Sequence, residues 1–540
     1  MPAEFRVVGP PGAGKTTFLA RQIEAWSEQH PPERMVLTSY TRAAAAVLAG
    51  RIAVPRENVA TLHALCYRAL GRPPIAETGA LAAQWDERPD LPPSWRLGAS
   101  LTDLEEGNIA DTDAGAMLAD YNLWRAQLRT DPLLGERCRY FAEAWEAYKA
   151  ATGSIDFGDM LDHGYEELPE CPGLPEVLVV DEAQDLTPAQ WRLVRQWGGS
   201  PELARYVVAG DPAQCLFNFA GARPDVFMAP VADGHERLLA QSWRLPPAIH
   251  EYAEAYLAQH SPPMTDRRTY RAREGEPGEV RRIGATWKNP YAMLRDIEAQ
   301  LSAGRTVMVL AACSYMLRPL LSLLREQGVP YHNPYRRQAG AWNPLRAARD
   351  GEVATIDRLL AYLRPDRRTW GADARPWTLR DALQWLDMVK ASEFEGTKTA
   401  ALASGLPQGR EALMPGDLIG VLGDDALDAL TAESAPAELS RRALKRYERP
   451  LEFAAAIYAR RPAALRETPR LVVGTIHSVK GAEADCVFLF PDISMSGLIE
   501  SRTAEGRDAT IRQFYVGCTR ARQSLVLCAP QRPGMAGIRS

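Results

Sequence analysis

Eight cysteines are scattered through the 540 residues without a single Cys-x-x-Cys pair. A zinc ribbon or iron–sulfur cluster therefore lacks its ligands, and reduced thiols in the cytosol are the plain expectation. No apolar run approaches the roughly 20 residues that span a bilayer, so no membrane partner is expected. The chain goes straight into the strand-like Phe5-Arg-Val-Val8, which leaves no room for a secretory leader. A basic excess is missing too, since the formal net charge is −5. That excludes a surface coated in positive charge, although a basic channel on an acidic body still suits nucleic acid. Lysine is scarce beside arginine, so Lys15 and Lys480, both inside candidate motifs, stand out.

What the chain does have begins with Gly9-Pro10-Pro11-Gly12-Ala13-Gly14-Lys15-Thr16-Thr17. The spacing fits a phosphate loop, and it lies between an apolar strand and a helix starting near Thr17, the context such a loop needs. The glycines let backbone N–H groups converge on phosphate oxygens at a helix N-terminus. Lys15 would neutralise the β- and γ-phosphates, and the Thr16 hydroxyl would hold Mg²⁺. A plain Gly-rich turn is the alternative for such a stretch taken alone.

A chain of this length is too long for one core and implies about three or four domains. Val177–Val180 and Tyr206–Ala209 are short strands, apolar on both faces, that alternate with helices and so predict a covered parallel sheet. Ligands of such sheets sit at the carboxyl ends of the strands. Asp181-Glu182 stands at one such end, where an acid holds Mg²⁺ and its neighbour orients or deprotonates water. The strand pattern resumes at Thr306–Leu310, Val329–His332, Leu471–Gly474, Asp485–Phe490 and Ser524–Cys528. Leu317, Leu320, Leu321 and Leu324 form a helical stripe ending at Gly328. Between the sheet segments, Met117, Tyr121, Trp124 and Leu128 share one helical face, as do Phe141, Trp145 and Tyr148. Two α/β cores, each interrupted by a mainly helical insertion, are the expected fold.

Taken in order, the motifs resemble those of superfamily 1A DNA helicases of the UvrD/Rep/PcrA type, over residues 5 to about 528. Gly9–Thr17 is similar to motif I, Ser39–Ala44 to motif Ia and Thr61–Tyr67 to motif Ib. Asp181–Asp185 resembles motif II, Gly210–Ala222 motif III and Gln241-Ser-Trp-Arg244 motif IV. Thr475–Glu483 is similar to motif V and Tyr515–Ala521 to motif VI. The resemblance implies two RecA-like parallel-sheet cores, with ATP bound between them. The first core comprises 1–70 and 175–240, around a 1B insertion at 71–174. The second comprises 241–365 and 467–540, around a short 2B-like insertion at 366–466.

The same resemblance implies roles for single residues. Gln214 would sense the γ-phosphate, and Arg244 and Arg520 would act as arginine fingers. Glu483, next to Gly481, would bind the ribose, while Trp243 takes the place of a tyrosine that stacks on the base. Tyr40 and Phe219, with Phe217 between Phe219 and Gln214, occupy base-stacking positions; core packing is the competing role for each. Thr41, Thr61, His63, Thr475 and His477 would contact the DNA backbone or support residues that do. Three departures stand out. Only eight residues precede Gly9, so the family's upstream glutamine motif has no place and adenine selectivity is expected to be loose. Ala220 replaces a basic residue after the motif III aromatic, and the second insertion is short.

The expected activity is ATP-driven 3′→5′ travel on single-stranded DNA with duplex separation at single-strand/duplex junctions, using ATP and Mg²⁺, in the cytoplasm of a prokaryote or encoded by a phage. The alternatives are a protein-stripping translocase and an ATP-switched DNA-binding subunit of a repair, replication or defence complex.

Overall fold

The computed structural model describes residues 3–40, 49–50, 52–98, 112–130, 135–260, 268–349, 351–404, 406–407, 411–431 and 435–538. It divides into two compact units. The first comprises Met1–Val280, Lys480–Ala482 and Ile493–Ser524; the second comprises Arg281–Val479, Glu483–Asp492 and Leu525–Ser540.

The first unit is built on a six-stranded sheet. Its strands are β1 (Phe5–Val8), β2 (Met35–Ser39), β3 (Val59–Ala60), β4 (Val177–Asp181), β5 (Arg205–Gly210) and β6 (Glu236–Leu238), in the order β3-β2-β4-β5-β1-β6. All five pairings are parallel. Every residue of β2 and β4 is buried, because the sheet is covered on both faces by separate apolar clusters. One holds Val36, Leu178, Val180 and Trp191, and the other Val7, Leu37, Val177 and Val179. Alternate residues of one strand thus enter opposite clusters, as a pleat requires. The carboxyl ends of β1, β4 and β5 carry Gly9, Asp181-Glu182 and Gly210-Asp211 side by side.

The first insertion has its own core of Trp85, Phe141, Trp145, Tyr148, Met117 and Leu118. Tyr121 and Trp124 are half-buried on the helix Asp113–Ala126, but Leu128 lies past its end, exposed and at φ 54. The helix Phe157–Glu167 starts in a capping box formed by Asp156 and Asp159, a reciprocal pair that satisfies two orphan donors. Asp156 is fully buried and accepts from Arg125 (3.0 Å), Lys149 (2.7 Å) and Trp145 Nε1 (3.0 Å).

The second unit holds the other sheet, with strands β7 (Glu279–Ile283), β8 (Val307–Ala311), β9 (Leu471–Thr475), β10 (Ala484–Leu489) and β11 (Ala521–Cys528) in the order β7-β11-β10-β8-β9. Strand β8 pairs in parallel with β9 and β10. The stripe Leu317, Leu320, Leu321 and Leu324 is buried, and Gly328 ends it at φ 61. Val329–His332 does not form a strand; one parallel bridge, His332 to Val472, is all that pairs. Pro330 has no backbone N–H to give a ladder. The helices of the second insertion share one continuous apolar cluster with this sheet, with Trp377, Trp385 and Leu413 in the same core as Val309, Val473 and Phe488.

The chain is therefore α/β, with two sheets of parallel strands among many helices, consistent with two RecA-like cores. Among the described residues no helix is long and apolar enough to cross a membrane. The eight cysteines are free thiols.

Candidate active site

The phosphate loop leaves β1 through Gly9, whose N–H donates to the Gly210 carbonyl at 3.0 Å. Gly12 and Gly14 are left-handed, at φ 71 and 77, a conformation that costs a residue with a Cβ roughly 1–2 kcal/mol. Space excludes side chains as well. A Cβ on Gly9 would lie 2.0 Å from Lys15 Cγ, and one on Gly12 would lie 2.4 Å from Arg244 Cβ. The helix Lys15–Trp26 follows with no side-chain cap, so its first N–H groups remain for an anion. Lys15 Nζ folds back onto the Gly9 carbonyl at 2.9 Å and lies 4.0 Å from Glu182 Oε1.

The segment Gln241–Arg244 braces this loop. Ser242 Oγ donates to the Pro11 carbonyl (2.8 Å), and Trp243 N–H donates to the Gly12 carbonyl (2.8 Å). The Trp243 ring is 71% exposed, and its Cδ1 would lie 3.8 Å from a Cβ on Gly14. A large apolar ring left in solvent beside a phosphate loop is placed to meet a planar ligand. Arg244 donates from Nη1 to the Thr519 carbonyl at 3.3 Å.

At the end of β4, Glu182 takes the left-handed conformation (φ 55, ψ 36), and its N–H donates to Asp181 Oδ1 at 2.9 Å. Strain of this kind gathers at functional sites. Burial first, and then the charge of Glu182, pushes the Asp181 carboxyl up. Burial would raise Glu182 too, but Lys15 and Lys480 outweigh it and hold the carboxyl down. The Thr16 hydroxyl and the buried Asp181 carboxyl are oxygen donors of the kind a hard cation such as Mg²⁺ takes.

Behind the acids runs a chain of buried polar groups. Gln184 Oε1 accepts from Asp211 N (3.0 Å), Asp211 Oδ2 accepts from Gln214 Nε2 (2.8 Å), and Gln214 Oε1 accepts from Arg520 Nη2 (3.0 Å). Arg520 is 1% exposed and also donates to the Val516 and Ala482 carbonyls. A guanidinium tied to Gln214 is linked to the strand ends that carry the acids.

Two cations here were not assigned a role from the sequence. Lys480 pairs with Asp185, lies 3.6 Å from Glu182 Oε2, and sits 5.5 Å from the centre of the Phe217 ring. Its conspicuous position in a lysine-poor chain was the available signal. Burial would lower its pKa, but Asp185 and Glu182 together hold it above the ordinary value. Arg268 is 1% exposed; it donates to Asp211 Oδ1 (3.1 Å) and Oδ2 (3.2 Å) and to the Tyr515 hydroxyl (2.8 Å), and it lies 3.4 Å from Glu254. It lies outside every motif, so nothing local marks it.

The aromatic candidates form a row. Tyr40 and Phe217 have ring centres 4.7 Å apart, and Phe217 and Phe219 are 6.0 Å apart. Phe217 is buried, whereas Phe219 is 43% exposed. The Thr61 hydroxyl caps the helix Leu62–Ala69 by accepting from Ala64 N, and His63 meets Phe157 edge-on at 6.1 Å. Thr41 lies outside the described residues. In the second unit, Thr475 is buried at the end of β9 and its hydroxyl accepts from Ser478 N. His477 opens the short turn His477–Val479, and Glu483 is exposed just before β10. Gly481 has φ 85.

The acids Glu146, Asp156 and Asp159 are spaced to hold a cation, but the Lys149 ammonium occupies that place at 2.8, 2.7 and 2.6 Å.

Comparison with known proteins agrees with this geometry. A family model for the AAA domain matches residues 3–220, and one for the UvrD-like helicase C-terminal domain matches residues 470–528. The ATP-dependent DNA helicase UvrD2 of Mycobacterium tuberculosis (strain ATCC 25618 / H37Rv) is 26% identical over 588 residues, covering 96% of this chain and 76% of that protein. The ATP-dependent DNA helicase Rep of Escherichia coli (strain K12) is 32% identical over 143 residues, 23% of this chain and only 21% of Rep. The RecB subunit of the E. coli RecBCD enzyme is 30% identical over 178 residues, 29% of this chain and 15% of RecB. Both halves of the match fall on the segments that carry the phosphate loop, the β4 acids and Arg520, and together they support a UvrD/Rep-type superfamily 1 helicase.

Proposed function

We propose that this chain is an ATP-driven motor that travels 3′→5′ on single-stranded DNA and separates duplex at single-strand/duplex junctions. The observation that carries this reading is the run Arg520–Gln214–Asp211–Gln184, which ties a candidate arginine finger to the strand ends bearing Asp181 and Glu182. A static nucleotide-binding domain has no use for a buried guanidinium on such a lever.

In this reading the loop Gly9–Thr17 cradles the phosphates of ATP, and Lys15 turns from the Gly9 carbonyl to neutralise them. Thr16 and Asp181 would hold Mg²⁺, which would supply charge neutralisation to the phosphates. Glu182 orients the attacking water and takes its proton. Arg244 and Arg520 stabilise charge developing on the transferred phosphoryl group, an effect worth about 10³–10⁵ in rate for a single finger. Trp243 stacks on the base and Glu483 holds the ribose. Tyr40 and Phe219 receive DNA bases, with Phe217 packed behind them. Thr61, His63, Thr475 and His477 touch or support contacts to the strand. We assign the first core to 1–70 and 175–240 around an insertion at 71–174, and the second to 241–365 and 467–540 around one at 366–466; the setting is the cytoplasm of a prokaryote or of a cell hosting a phage. Names of the relatives support ATP and DNA as substrates.

The test is ATP turnover by the purified chain with and without single-stranded DNA. Stimulation of at least tenfold is expected, and a rate indifferent to DNA contradicts the motor reading.

A further inference from the structure

A second buried arginine stands on the helix that leads to Arg520. Arg512 lies within the helix Ala504–Cys518 and is 3% exposed. Its Nη1 donates to His260 Nε2 at 2.6 Å, and its Nη2 donates to Asn218 Oδ1 at 2.9 Å. A guanidinium can only donate, so both partners accept. His260 is buried as well, and its Nδ1 lies 3.7 Å from Asp508 Oδ2 on the same helix as Arg512.

Asn218 stands between the two aromatic candidates of its loop, the buried Phe217 and the exposed Phe219. Its side chain staples that loop. Asn218 Nδ2 donates to the Ala222 carbonyl at 3.0 Å, while Oδ1 accepts from Arg512 and, at 3.4 Å, from the Cys215 thiol. The backbone turns tightly around it, with Ala220 N and Ala222 N both donating to the Phe217 carbonyl. Gly221 takes φ 93, and a Cβ there would lie 3.2 Å from Leu123 on the helix Asp113–Ala126. Helix Ala504–Cys518 and the residues that follow it therefore grip one loop at two points. Arg520 holds Gln214 beside the acids, and Arg512 holds Asn218 beside the exposed ring.

Burial pulls the Arg512 pKa below its ordinary value, against the opposing effect of Cys215, Asp508, Glu505 and Asp185. Among the described residues no carboxylate pairs with it directly, and its buried Nε has no hydrogen-bond partner. A buried charge held so is costly, and an apolar side chain of similar volume would fill the space without that cost. What the guanidinium adds is a fixed place for Asn218.

We propose that Arg512, steadied by His260, is a positioning residue for strand binding: it fixes Asn218 and through it the ring of Phe219 that receives a DNA base. This rests on the reading of the chain as a DNA motor, and adds a second tie between the Arg520 helix and the stacking loop, separate from the one through Gln214.

The test uses the full-length chain with Arg512→Met, which keeps bulk but donates nothing, Phe219→Ala, and the two combined. ATP turnover is followed against the concentration of a single strand, and circular dichroism with urea unfolding identifies the folded variants. Arg512→Met should raise the DNA concentration for half-maximal stimulation by about tenfold or more, the size of one lost base stack. Turnover at saturating DNA should fall by less than about threefold, a loss of binding and not of chemistry. In the Phe219→Ala background the same substitution should cost no more than about twofold further, because residues that act through one another are not additive. Asn218→Ala, on a half-buried loop residue, should show the same rise and serves where Arg512→Met does not fold. Unchanged half-saturation in either folded variant overturns the proposal. So do losses that multiply in full with Phe219→Ala, or an equal fall in turnover with and without DNA. Failure of the motor reading shows separately, as a wild-type ATPase that DNA does not stimulate.

Discussion

Replacing Arg268 by methionine removes a charge while keeping most of the side-chain volume. Arg268 is 1% exposed, and the Asp211 carboxylate facing it is fully buried. The pair is bidentate, at 3.1 and 3.2 Å, and the same guanidinium also serves the Tyr515 hydroxyl at 2.8 Å. Taking away one partner of a buried pair leaves the other charge uncompensated, at a cost of about 3–5 kcal/mol. The loss should reach chemistry too, because Asp211 also accepts from Gln214, which accepts from Arg520. Urea unfolding of Arg268→Met should therefore show a fall in stability within that range, together with a drop in ATP turnover. Adding Asp211→Asn removes the stranded charge and should recover at least half of the lost stability but not the turnover. A single variant within about 0.5 kcal/mol of wild type, the usual spread for surface substitutions, refutes the reasoning. Strictly additive losses in the double variant would refute it as well.

Glu182→Gln should leave ATP binding within a fewfold of wild type and lower turnover by about 10²–10⁴, the usual span for loss of general base catalysis; near-normal turnover removes Glu182 from that role. Tyr40→Ala and Phe219→Ala should each weaken single-strand binding by about 1–3 kcal/mol and reduce DNA-stimulated more than basal ATPase, whereas equal loss of both indicates packing. GTP or dATP should support turnover within about tenfold of ATP, roughly 1.4 kcal/mol, since a ring stacked on Trp243 is not read by its edge; a strict ATP requirement contradicts this. Glu77 is buried against Asp156, Lys149 and Asn122, and burial first, then the charge of Asp156, raises its carboxyl above the ordinary value of 4.5. The folded state then holds a proton that the unfolded chain releases, so the contribution of Glu77 is complete below pH 4.5 and is lost as pH rises above that value. Unfolding of wild type and Glu77→Gln across pH 5 to 9 should show the variant gaining relative stability toward high pH, and parallel curves would deny the shift.

The phosphate loop and the acids after β4 were legible because each is a local pattern at the end of an apolar strand, and the Arg520 segment because it stands between a helix and the apolar strand β11. The pairing of Gln214 with Arg520 joins two motifs, and it follows once both are read. Arg268 was invisible because its partner Asp211 is 57 residues away and a lone arginine in sequence reads as surface. Lys480 was visible as a residue but not as the partner of Asp185 and Glu182. Val329–His332 looked like a strand from its apolar and aromatic content, but Pro330 gives no ladder donor and a single bridge forms. The second insertion reads as a separate helical segment because its sequence is polar between apolar positions. Its Trp377, Trp385 and Leu413 in fact complete the core of the sheet that it interrupts.

Directional unwinding tests the central claim most directly. Duplexes carrying only a 3′ single-stranded tail, only a 5′ tail or no tail are mixed with excess protein and ATP, and strand separation is followed in a single turnover. The 3′-tailed duplex should be separated with the other two left intact. Separation of the 5′-tailed duplex in preference contradicts the assigned direction, and separation of none, with DNA-stimulated ATPase intact, contradicts duplex unwinding itself.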